Sequence, residues 1–122
     1  MRFTQDLSSA THLVRSYGGG ELRINDHAYR GTVILSASTV LPAPDIRTMD
    51  DLALLDPARI LTLDPELVLV GTGPRQSFPA PAFGAQFLRA GIGFEVMDTG
   101  AACRTFNVLV GEQRRVVALL LV

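Results

Sequence analysis

From residue 67 onward, short apolar runs alternate with stretches of helical spacing, and this rhythm constrains the fold more than any other feature. The apolar runs cover residues 67–70, 92–97 and 116–122, with helix candidates over 81–90 and 100–110 between them. Strand, helix, strand, helix, strand in one sheet predicts three parallel strands joined by right-handed crossovers. Gly91 and Gly111 follow the two helix candidates, where a left-handed residue closes a helix well, and Ala102, Phe106, Leu109 and Val110 share one face of the second.

The first third has a different period. Residues 12–17, 21–24, 27–30 and 32–36 read as β-strands, broken by Gly18-Gly19-Gly20 and by Asn25-Asp26, and their pairing should be antiparallel. Prolines between Leu41 and Asp45 mark a connection. Thr48 and Asp51 then form a capping box for a short helix, while Asp56-Pro57 and Asp64-Pro65 punctuate the segment that follows. The expected fold is α/β (mixed α+β) and three-layered: a β-rich amino-terminal portion joins a mixed sheet whose carboxyl-terminal part is the parallel unit, with helices flanking it. At 122 residues the chain fits a single domain over 1–122 with one hydrophobic core.

Several chemistries can be set aside. All 11 basic residues are arginine, so a Walker lysine, a Schiff-base lysine and a pyridoxal phosphate anchor are excluded. A net charge of −1 argues against a nucleic-acid partner. The longest apolar run, 116–122, is far shorter than the ~20 residues of a membrane span. Residues 1–7 lack a secretory h-region, and Cys103 is the lone cysteine, so a soluble cytoplasmic protein without an internal disulfide is expected. His12, His27 and Cys103 are too scattered for a zinc site, and no G-x-S-x-G elbow is present. No cofactor or metal is expected.

The strongest candidate for a working surface follows from the parallel unit. If strands 67–70 and 92–97 run the same way, the loops 71–77 and 98–101 leave one edge, the edge where open α/β sheets usually hold ligands. Gly71, Thr72, Gly73 and Arg75 lie on the first loop; Thr99 and Gly100 lie on the second, with Arg104 one turn into its helix. Glycines allow close approach, helix amides and arginines attract an anion, and threonines offer hydroxyls. The same residues also suit a plain tight turn, an N-cap and an ion pair, and a protein docking surface is a third reading. Cys103 is either a thiol activated by the helix terminus and Arg104 or a small buried hydrophobe, and Asp98 either a perturbed carboxylate or an N-cap.

Four stretches carry a family resemblance: Gly71-Thr72-Gly73; Gly91-Ile92-Gly93-Phe94-Glu95-Val96-Met97-Asp98-Thr99; Ala102-Cys103-Arg104-Thr105-Phe106-Asn107-Val108-Leu109; and Glu112-Gln113-Arg114-Arg115-Val116. In order and spacing the chain resembles the domain of unknown function 498 family, which includes the mitochondrial respiratory complex I assembly factor 3. The resemblance implies the three-layer fold and no known reaction. It also implies a non-enzymatic protein-binding or assembly role, with an enzyme or sensor for a small anionic metabolite as the alternative. Partners left open are another protein, a small anion and a second copy. Phe106 stands where relatives often carry tyrosine and Gln113 where glycine is common; Asn107 matches, and is expected to tie down a neighbouring backbone segment.

Overall fold

Because β-branched and leucine residues recur without interruption, the runs at 67–70 and 116–121 form strands buried on both faces, while the run that contains Glu95 forms an edge strand. The computed structural model describes residues 11–122, so the reading of residues 1–7 lies outside them. Five strands build the main sheet: β4 (Val33–Leu35), β5 (Val40–Pro42), β6 (Leu67–Thr72), β7 (Gly93–Met97) and β8 (Val116–Leu121), in the order β5-β4-β8-β6-β7. β6 pairs in parallel with β7 on one side and β8 on the other. Helices α2 (Pro81–Arg89) and α3 (Thr99–Gly111) make the crossovers.

Alternate residues of β6 and β8 point to opposite faces, which divides the core in two. Leu69, Ala118 and Leu120 pack with Ala102, Cys103 and Phe106 of α3. Val68, Val70, Val117 and Leu119 pack with Phe83 and Phe87 of α2 and with Ile60 of the short helix α1 (Ala58–Leu61). Gly84 lets α2 lie close to β7, since a Cβ there would stand 2.5 Å from the Phe94 ring. That ring stacks on Phe87, with centroids 5.9 Å apart.

A second, antiparallel sheet of β1 (Val14–Gly18), β2 (Glu21–Ile24) and β3 (His27–Tyr29) covers α3 through Val14, Leu22 and Ile24. Asn107 of α3 anchors it: its Oδ1 accepts from Val14 N at 2.9 Å and its Nδ2 donates to Val14 O at 2.8 Å. The 3-10 helix Met49–Leu54 starts at the expected capping box, where the Asp51 carboxylate accepts from Thr48 N at 3.0 Å.

Three local expectations change. The proline-marked connection contains an edge strand, β5, whose Pro42 lacks an amide and so sits where no further strand pairs. β4 pairs with β5 and β8 instead of extending the amino-terminal sheet. Gly91 takes the left-handed φ of 78° expected after α2, but Gly111 stays helical and Gln113, at φ 63°, closes α3. Gln113 N donates to Val110 O and Arg114 N to Leu109 O, both at 2.9 Å, so the helix runs on through Gly111 before it ends.

Candidate functional site

The two loops do meet, and Thr99 joins them. Its amide donates to Gly73 O at 2.9 Å, while its hydroxyl accepts from Gly73 N at 2.8 Å and donates to Leu121 O at 2.5 Å. Thr99 is fully buried. Glycine at 71 is required by this contact, because a Cβ would lie 2.9 Å from Thr99 Oγ1 and 3.0 Å from Thr99 Cα. The close approach that Gly71 permits is therefore made by the protein's own threonine. Gly73 adopts φ 98°, which turns the chain away from β6.

Thr72 shapes the next segment. Its buried hydroxyl donates to Arg75 O at 2.5 Å and accepts from Ser77 N at 3.2 Å, closing the chain into a tight turn. The turn's outer part is exposed from Pro74 to Phe78, with Phe78 75% exposed. Arg75 extends from it, and Gln76 Nε2 donates to Val96 O at 3.5 Å on β7. Beside the turn lies a groove of about 420 Å³, walled by Phe78, Phe83, Leu52 and Pro57 together with Asp50 and Gln86.

At the start of α3, Asp98 is the N-cap and its carboxylate accepts from Ala101 N at 2.9 Å. Two of the first amides are thus satisfied internally, by Gly73 O and by Asp98. Arg104 is exposed and folds back over Gly100, its guanidinium 3.6 Å from where a Cβ would sit. Cys103 is buried, and burial pushes its thiol up to about 12, the Arg104 charge only partly opposing it. Of the two readings for this cysteine, the structure supports the small buried hydrophobe.

Tyr17 joins this cluster although the sequence reading did not place it there. Its ring lies 3.9 Å from the Gly100 Cβ position, and burial raises its phenol, the neighbouring Thr99 hydroxyl opposing the shift. The register of β1 slips between Val14 and Ser16, and this bulge turns Tyr17 to the same side as Val14, where strict alternation would have sent it outward. No local signal marks that bulge. Among the described residues, no three His, Cys, Asp or Glu side chains come together as metal ligands, and no helix is long and apolar enough to cross a membrane.

The chain is similar to known proteins. The chain is 31% identical over 124 residues to the "13 kDa major membrane protein" of Francisella tularensis subsp. holarctica, covering 99% of both chains. It is 28% identical to NADH dehydrogenase (ubiquinone) 1 alpha subcomplex assembly factor 3 of Danio rerio, over 96% of this chain and 68% of that one. A crystal structure of a Bordetella parapertussis protein superposes with a TM-score of 0.80 at 35% identity, covering 92% of this chain and 96% of the other. The family model described as "Protein of unknown function (DUF498/DUF598)" matches residues 14–121, and the chain belongs to that family.

Proposed function

We propose that the protein is a non-enzymatic, protein-binding factor of the assembly type, and that it docks through the turn at residues 74–78. The observation that carries this reading is the pairing of a pinned backbone with exposed anchors. Thr72 holds the turn from inside, and Arg75 and Phe78 stand out from it beside a groove of mixed polarity. Arginine and aromatic side chains on a preordered segment are the groups that dominate protein interfaces. The assembly-factor name of the Danio rerio relative supports the same role.

A small anion held by Arg75, Thr99 and Arg104 is the competing reading. It is disfavoured because the Thr99 hydroxyl and amide and the Ala101 amide already have partners within the protein. Recovery of a partner by tagged protein from a native extract tests the proposal. Arg75→Ala and Phe78→Ala should each reduce recovery at least fivefold with the melting temperature unchanged. Equal recovery by both variants and the wild type removes this turn from the account. A thermal-shift panel of phosphates and carboxylates should give no shift reversed by Arg104→Ala; such a shift would favour the anion instead.

A further inference from the structure

A second cavity, of about 610 Å³, opens at the end of the parallel strands opposite to the 74–78 turn. Its volume lies in the range of small-molecule sites. Leu13, Val110 and Val116 provide an apolar floor, and Ser38, Gln113 and Arg114 stand at an exposed rim. The non-glycine residues with left-handed φ among the described residues are Asn25, Asp64 and Gln113, and of these Gln113 lines the cavity. Asn25 holds Leu13 through a 2.9 Å bond from Leu13 N to its Oδ1, Asp64 follows the lining residue Leu63, and Gln113 lines it directly.

Arg114 stands at this rim with its charge paired to Glu66. Arg114 Nε donates to Glu66 Oε2 at 2.9 Å, and Glu66 Oε1 accepts from Arg115 N at 2.9 Å, so both carboxylate oxygens are engaged. The two terminal nitrogens of Arg114 have no protein partner among the described residues. An apolar trough ending at an arginine fork and a side-chain amide suits one ligand class. We propose that this cavity binds a linear aliphatic carboxylate, its chain along Leu13, Val110 and Val116 and its carboxylate on Arg114 and Gln113. A planar guanidinium can take both oxygens of such a group at once. The site shares no residue with the docking turn and stands or falls separately from it.

Calorimetric titration of the full chain with hexanoate, octanoate and decanoate, below their micellar concentrations, provides the test. One molecule should bind per chain, tightening about fourfold per added methylene as apolar surface is buried. Decanol should bind about tenfold more weakly than decanoate, and Arg114→Gln should lose the same factor for decanoate alone. A Cβ at Gly111, which lines the cavity, meets nothing within 4 Å, so Gly111→Phe can occupy the space without backbone strain. It should abolish binding, and Ser38→Trp, on the rim, supplies a second obstruction if the first variant does not fold. No binding of decanoate to the wild type overturns the proposal. Binding that is undiminished in the obstructed variant, or equal for decanoate and decanol, overturns it as well.

Discussion

Asn107 on α3 completes the backbone pairing of Val14 on β1, taking both its amide and its carbonyl at 2.9 and 2.8 Å. β1 is the edge strand of its sheet, and a side-chain amide carries the donor and the acceptor that fit these two groups. Replacing Asn107 with leucine strands both groups against a buried Val14, and should lower the unfolding free energy by about 3 kcal/mol. Urea denaturation measures this, and a loss under about 1 kcal/mol would mean water replaces the amide at no cost.

Thr99 gives a second prediction through its hydroxyl. Thr99→Val keeps the shape but leaves Gly73 N and Leu121 O unpaired in a buried place, at a cost of about 3 kcal/mol. Thr99→Ser keeps both hydrogen bonds and gives up one methyl group, costing about 1 kcal/mol. The ordering of the two variants in chemical denaturation, valine worse than serine, is the readout.

Cys103 should make stability fall in alkali. Burial raises its thiol from an ordinary 9.0 to about 12, so the folded state holds this proton where the unfolded chain releases it. The contribution is fully present below about pH 9 and is lost as pH rises through about 12. Tyr17, whose phenol is also raised by burial, adds a loss of the same sign. Between pH 9 and 11 the wild type should lose stability more steeply than Cys103→Ala, and the native thiol should react with Ellman's reagent far more slowly than the unfolded one.

Gln113 adopts φ 63° where glycine would carry no steric penalty. Gln113→Gly should therefore stabilise the protein by about 1 kcal/mol, raising the melting temperature by about 4 °C. Gly111→Ala, inside α3 with open space around the new methyl group, should stabilise it by a similar ~1 kcal/mol. Scanning calorimetry of both variants checks the pair, and only the Gln113 change depends on the left-handed backbone.

The residues themselves dictated features whose chemistry is complete within a few positions. The uninterrupted apolar runs at 67–70 and 116–122 required strands buried on two faces; Thr48 and Asp51 carry the donors and acceptor of a capped helix start, and Gly91 permits the left-handed step after α2. The anchoring role of Asn107 was legible for a similar reason: a polar amide on a buried helix face must find a partner. Which backbone it would meet, 93 positions away, was not.

Contacts between distant segments settled the rest. The same glycine that would admit a ligand at position 71 admits Thr99, and only the packing of α3 onto β6 selects the threonine. β4 joins β8 because its continuous apolar run must be buried on both faces, a need its neighbour β3 could not meet. Tyr17 reaches the start of α3 through a bulge that no residue type announces, and Gln113 replaces Gly111 as the terminator, its amide and that of Arg114 closing on Val110 and Leu109. Local sequence limits the conformations open to each segment; burial of shared surface decides among them, and that surface exists only once the segments have come together.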